Sequence, residues 1–286
     1  MRVEKFDTSI KGKLSSVVKD KYPNLSYNKI QKIIREKDIK VNRKRVGKDI
    51  DVAVGDEIIL FINEDLSFYE IVFEDENILV VNKKRNIEVV SETDNDLVKQ
   101  IKADKKIDVF AVHRLDRNTE GLVVFAKNEV AKNELDVGFK GRLFEKFYLA
   151  LCYGVFEKKS EKLIAYLKKD QKNSLVDISD CLEFGYEQIL TNYRVIKQGD
   201  EVALVEVELL TGKTHQIRAH LAHIGHFIIG DEKYGNKEIN QKHKKKYQNL
   251  IAYKLILHFS KNSKLFYLDN KCFEIDKKKI SFFDKC

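Results

Sequence analysis

The chain has 286 residues, 43% of them hydrophobic and 34% charged, which is enough for a sizeable core and excludes a disordered polymer. Against 45 Asp and Glu stand 53 Lys and Arg, a net charge of +8 with a sequence pI near 9.0, and such an excess points to polyanionic partners, nucleic acid first. No apolar run nears the roughly 18 residues of a bilayer crossing, the opening MRVEKFDTSIKGKL lacks a signal's apolar core, and Cys152, Cys181, Cys272 and Cys286 form neither a CxxC pair nor a disulfide framework, so the expectation is a protein of the reducing cytoplasm with no membrane partner.

The basic surplus is concentrated at one end: residues 1–62 hold 15 Lys and Arg against 9 Asp and Glu, +6 of the total +8. Within them Ile30, Ile33 and Ile34 recur at helical spacing, with Lys29, Lys32 and Arg35 on the remaining positions, and predict an amphipathic helix. The period then shortens. Ile39, Val41 and the segment Asp49–Ile62, with a turn at Gly55-Asp56, read as short strands. This helix-then-strand module resembles the S-four-type RNA-binding domain through Leu14, the helix Ser26–Ile34, Lys40-Val41-Asn42 and Val54-Gly55-Asp56. The resemblance implies an RNA-docking role for its exposed cations, Lys29, Lys32, Arg35, Arg43 and Arg45, because phosphate contacts supply affinity with little sequence information. Residues 63–70, acidic and without pattern, read as a linker.

From Ile71 onward short apolar runs of strand length appear at Ile78–Val81, Leu122–Ala126 and Phe147–Tyr153. In VALVEVELL, Val205, Val207 and Leu209 alternate with Glu206 and Glu208, the period of a strand with one wet face. Helices are predicted over Val130–Gly138 and over His215–His223 after a Thr-Gly turn. The run Lys242–Lys246 (KHKKK) is either a solvated loop or a further phosphate contact. With a single proline, Pro23, turns must rest on Gly, Asn and Asp.

Two segments carry chemistry. In HRLDRNTEGLVVFAKN (113–128), His113, Arg114 and Asp116 gather before a strand, with Gly121 allowing a close turn; the carboxylate fits a nucleophile, a base, a metal ligand or a salt-bridge partner of Arg114 or Arg117. In LLTGKTHQIRAHLAHIGHFIIGDEKYG (209–235), TGKT is not a phosphate loop, since position 207 is Val207 where that motif needs glycine. His215, His220, His223 and His226 lack the spacing and glutamate of a zinc protease site, and structural or RNA-bonding roles are the better reading. A third reading makes Arg218, midway along the helix after the turn, the fixed cation of an active site.

Together these segments resemble the two signature motifs of the RluA-type pseudouridine synthases. KFYLALCYG (146–154) looks like the family's Lys-x-Tyr motif, and EDENILVVNK (74–83) like its first motif. The resemblance implies an α+β protein: a small amino-terminal α/β RNA-binding module over 1–62 and, over 71–286, a mixed, mainly antiparallel β-sheet catalytic domain flanked by helices. It implies isomerisation of uridine in structured RNA by a cofactor-free, metal-free monomer, with large-subunit ribosomal RNA the first candidate and transfer RNA the second. By position, Asp116 would be the catalytic carboxylate, Arg218 its basic partner and Tyr148 the aromatic that packs on the target base. Arg114 would hold RNA where the base is extruded, with Lys146, Lys213, His215 and Gln216 as further RNA contacts. Such an enzyme must unstack its base, which an arginine and an aromatic face assist, and a guanidinium in contact favours the ionised form of a carboxylate.

The chain departs from the family pattern in four places. Lys83 is followed by Lys84-Arg85-Asn86 in place of Pro-x-Gly, Glu120 replaces a serine, Lys213 an arginine and Phe227 a proline. None touches Asp116, Tyr148 or Arg218. The alternative from another class is a non-catalytic RNA-binding or ribosome-assembly factor on the same fold.

Overall fold

The computed structural model describes residues 2–22, 25–62, 67–92, 96–170 and 175–286. The proline at 23 and linker residues 63–66 lie outside them.

The first unit contains β1 (Arg2–Asp7), β2 (Gly12–Lys13), α1 (Leu14–Lys21), α2 (Tyr27–Arg35), β3 (Ile39–Val41), β4 (Lys44–Arg45), β5 (Asp51–Val52) and β6 (Glu57–Ile62). Its antiparallel sheet runs in the order β1-β6-β3-β4, and β2 pairs with β5. Helix α2 starts where Ser26 accepts the Lys29 N–H, and its isoleucines point inward onto Ile39, Ile58 and Leu60. Asn42 and Asp56, read separately in the sequence, meet: Asn42 Nδ2 donates to Asp56 at 2.8 Å and Asn42 Oδ1 accepts from the Glu57 N–H at 2.9 Å, closing the turn at Gly55.

The second unit holds β7 (Tyr69–Glu74), β8 (Ile78–Lys83), α3 (Leu97–Lys105), β9 (Phe110–Ala111), β10 (Glu120–Ala126), α4 (Glu129–Lys140), β11 (Glu145–Tyr153), β12 (Ser160–Asp170), β13 (Leu175–Ser179), β14 (Glu187–Gln198), β15 (Val202–Leu209), α5 (Gln216–His223), α6 (Lys237–Lys242), β16 (Leu250–Ile256) and β17 (Cys272–Glu274). Tyr69 and Glu70 thus belong to the first strand of this unit, and not to a linker. Nine of the strands follow the order β13-β12-β14-β15-β11-β16-β10-β8-β7, antiparallel except where β10 meets β16, while β9 pairs with β10 and β17 with β16.

The central strands are buried on both faces, which is why they read as continuous apolar runs. Leu79, Val81, Val123, Phe125, Tyr148 and Ala150 face α3 and α5, whereas Ile78, Val80, Leu122, Val124, Leu149 and Leu151 face α4 and the carboxy-terminal segment. The expected wet face of β15 is therefore absent at Glu206, whose carboxylate is covered and takes bonds from Tyr253 Oη and, at 2.8 Å, Arg194. Gly121 does not make a turn: it lies within β10 at φ +120°, where any Cβ would overlap the Ala252 backbone of the neighbouring strand.

Candidate active site

Asp116 sits on the short loop that feeds β10, and that loop is pinned from several sides. Leu115 is buried beneath it. His113 Nε2 accepts the Val124 N–H at 2.9 Å while its ring stacks on Phe139. Burial, assisted by the Lys146 charge, pulls the His113 pKa down to about 3, so this imidazole is a neutral structural acceptor. Thr119 accepts from Gln248 at 2.6 Å, and its N–H returns to the Asp116 carbonyl at 3.0 Å. From below, the fully buried Lys83 donates to the carbonyls of Lys84, Ile87 and Arg117 at 3.0, 2.9 and 3.1 Å, one oxygen for each ammonium N–H. Burial lowers its pKa to about 7.

Arg218, 102 residues further along, reaches this loop from α5. Its Nη1 donates to Asp116 Oδ2 at 2.9 Å, while Nε and Nη2 form a fork onto Asp231 at 2.6 and 2.9 Å. Asp231 is 1% exposed and also accepts the N–H groups of Lys233 and Tyr234. Burial opposes charge on both partners; the hydrogen bonds and the opposite charges outweigh it, holding the Arg218 pKa above and the Asp231 pKa below their ordinary values. Tyr234 lies against the guanidinium with 5.3 Å from Cζ to ring centroid, and its hydroxyl takes the Val176 N–H and meets His215 Nδ1, each at 2.9 Å. His215 Nε2 is 3.8 Å from Asp116, and burial lowers this histidine's pKa, leaving a neutral ring beside the carboxylate.

A cavity of about 510 Å³ opens over Asp116, its side chain one-quarter exposed, with Tyr148 and Lys146 on one wall and Arg114, Arg142 and Lys213 at the rim. Lys146 and Tyr148 share a face because they are two apart on β11. Tyr148 is 8% exposed, and burial, with the nearby Asp116 charge, raises its pKa, so the phenol stays neutral. Lys146 has its pKa lowered by burial and by Arg142. Lys213 is ion-paired with Glu187.

Gln216 is a correction to the expected RNA contacts. It is 2% exposed and its carboxamide is saturated inside the protein, accepting from Thr211 Oγ1 and Lys213 N and donating to Leu190 O and Thr191 Oγ1. Its work is to shape the turn ahead of Arg218. The other histidines of this segment part company: His220 bonds Thr191, His223 bonds Asp180, and His226 stacks on Phe156. Of the amino-terminal cations, Lys32, Arg35, Arg43 and Arg45 are exposed and Lys29 partly so; Lys32 lies 3.6 Å from Glu36, and Arg45 lies 3.6 Å from Asp38 and over Phe61. Asp231 and Tyr234 stand in the segment GDEKYG (230–235), but nothing in its spacing says which side chain meets Arg218.

Residues 77–223 match the family model for RNA pseudouridylate synthase. The chain belongs to that family. It is 31% identical over 262 residues to the ribosomal large subunit pseudouridine synthase C of Rickettsia felis, covering 82% of this chain and 85% of the relative. It is 32% identical over 232 residues to an uncharacterized RNA pseudouridine synthase of Mycoplasma genitalium, covering 75% of each. Among solved structures, human RNA pseudouridylate synthase domain containing 1 superposes with a TM-score of 0.61 at 25% identity, over 75% of this chain and 85% of that one. The protein is thus an RNA pseudouridine synthase, an isomerase, and its large mixed sheet is that family's fold.

Two of its four departures from the family pattern have local structural answers. Asn86 adopts φ +67° where the pattern has glycine, a left-handed conformation that asparagine tolerates. Lys84, in the proline position, uses its N–H to bond Phe68 O at 2.8 Å. Arg85 pairs with Glu120, the first residue of β10, so two departures satisfy one another.

Proposed function

We propose that this synthase isomerises uridines of large-subunit ribosomal RNA in the cytoplasm, with Asp116 as the reacting carboxylate. The observation that carries the reading is the Asp116–Arg218–Asp231 chain at the floor of a cavity walled by Tyr148. The reaction breaks the bond from C1′ to N1, turns the uracil and joins C1′ to C5; C5 gives up its proton and N1 takes one up, so no atom is gained or lost overall. A carboxylate held by a cation that is itself anchored meets the requirement for a negative oxygen of fixed position beside the sugar and ring. Tyr148 supplies a flat neutral face for the extruded base, and Arg114 at the rim fills or braces the vacated stack. Residues 1–62, read as an S-four-type module, dock the RNA through Lys29, Lys32, Arg35, Arg43 and Arg45, with Lys146, Lys213 and His215 nearer the target nucleotide. The ribosomal assignment is supported by the names of the relatives from Rickettsia.

Carbodiimide mapping of pseudouridines in total RNA, from cells with the gene, without it, and with Asp116→Asn, tests both parts. The expected result is the loss of specific pseudouridines from large-subunit RNA in the last two. Loss confined to transfer RNA would move the substrate, and full modification by Asp116→Asn would remove the role of the carboxylate.

A further inference from the structure

Two more cavities continue from the Asp116 site. One, of about 280 Å³, shares Arg114, Asp116, His215 and Arg218 with the substrate cavity and extends to Arg117, Lys246 and Tyr247. The next, of about 590 Å³, shares Glu232 and Lys246 with it and extends to Lys237, Lys244 and Lys245. The basic run seen in the sequence therefore lines a path that begins at the reacting carboxylate.

That run is held in place. Lys244 takes φ +52°, and the N–H groups of Lys244 and Lys245 bond the carbonyls of Gln241 and Asn240, each at 2.9 Å. The Tyr247 carbonyl packs on Gly230, where a Cβ would collide with it, and the next residue, Gln248, is bonded to Thr119 on the Asp116 loop. The Tyr247 ring has Lys246 Nζ at 5.6 Å and Arg85 Cζ at 5.7 Å from its centroid.

The charges divide sharply within the run. Lys242 and His243 pair with Glu201, whereas among the described residues no carboxylate pairs with the ammonium groups of Lys244, Lys245 or Lys246. Cations crowd there instead. Lys245 has its pKa lowered by burial and by the charges of Lys285 and Arg85, and Lys19 of α1 by burial and by Lys246 and Arg117. Besides Asp116 and Asp231, the acids on these walls are Glu88 and Glu232. Like charges held together at a fixed turn repel one another until a polyanion sits between them, which is the physical signature of a phosphate-binding surface.

We propose that the turn 244–247 and the two cavities it lines form a phosphate track for the RNA strand flanking the uridine held at Asp116, with Lys245 and Lys246 as phosphate ligands. The track rests on the reading of Asp116 as the reacting site and extends it to the neighbouring nucleotides. It ties affinity to a segment of the carboxy-terminal half, in addition to the basic amino-terminal unit.

The test uses the full chain with Lys245→Ala/Lys246→Ala, and Lys242→Ala as a control from the same run. Affinity for a large-subunit ribosomal RNA fragment is measured across a potassium chloride series, turnover by tritium release from uridine C5, and folding by circular dichroism. Loss of two phosphate contacts lowers the slope of log affinity against log salt by about 1.4 to 1.8. It also raises KM about tenfold, with most of the loss in KM and not in kcat. Lys242→Ala keeps the slope of the wild type. A folded double variant with the wild-type slope, or one whose defect lies in kcat alone, overturns the track. Wild-type protein that binds this RNA without releasing tritium would instead count against the ribosomal substrate, and the slope comparison would still decide the track.

Discussion

Asp231→Asn is the sharpest test of the buried ion chain, because it changes one atom at a position 1% exposed. In the native protein Oδ1 accepts three donors, Arg218 Nη2 at 2.9 Å, Lys233 N at 2.8 Å and Tyr234 N at 3.1 Å, and Oδ2 accepts Arg218 Nε at 2.6 Å. An asparagine that keeps its oxygen with the three donors turns its NH₂ against the Arg218 Nε–H, donor against donor. Arg218 is then left with Asp116 as its carboxylate partner. Removing one member of such a pair costs about 3–5 kcal/mol. At roughly 2–4 °C per kcal/mol for a chain of this order, Tm falls by about 6–20 °C. With Asp116 as the proposed reacting carboxylate, turnover falls as well: the guanidinium, released on one side, rotates on Asp116, and a displacement of about 1 Å at a reacting group costs about 100-fold. The deficit is pH-dependent with a defined sign. Asp231 has its pKa lowered in the folded state, so its stabilisation is present above the ordinary carboxyl range and is lost as pH falls through the folded value; the two proteins converge in acid. Tritium release and thermal melts by circular dichroism measure both effects. A variant with Tm within about 2 °C and kcat within about twofold of wild type would refute the anchoring role of Asp231.

Two further predictions concern the frame around the site. Lys83 has a folded pKa of about 7 against an ordinary value of 10.5, so the unfolded chain binds the extra proton between these values and wild-type stability rises relative to Lys83→Met by about 1.4 kcal/mol per pH unit from pH 7 upward; parallel urea-unfolding curves for the two proteins at pH 7 and pH 9 would contradict this. Gly121→Ala places a Cβ on the Ala252 backbone at φ +120°, and destabilisation of about 3 kcal/mol or more is expected from urea midpoints; a midpoint equal to wild type would mean that β10 and β16 separate without cost.

Much of this molecule was legible before folding was considered. The isoleucine spacing of α2 reflects a period of 3.6, the continuous apolar runs of β8, β10 and β11 reflect strands closed on both faces, and a Thr-Gly turn marks the start of the helix that carries Arg218; the chain displays each of these signals locally. The motifs that hold Asp116, Tyr148 and Arg218 resemble those of a known family, and the structure brings Arg218 onto Asp116 and Tyr148 to the wall of the same cavity. What tertiary structure alone decided is the partner of each buried polar group. Gln216 and Glu206 look in sequence like groups available to solvent or RNA, yet Gln216 is consumed by β14 and by the turn ahead of its own helix, and Glu206 by Tyr253 of β16 and Arg194 of β14. Lys83 stands in an unremarkable strand, and only the meeting of two loops supplies its three carbonyls. Asp231 follows Arg218 by 13 residues, and its selection as the counter-ion depends on the turn that returns the chain beneath α5. Periodicity records which face of an element avoids water; it carries no information about which distant charge must be neutralised once that face is closed.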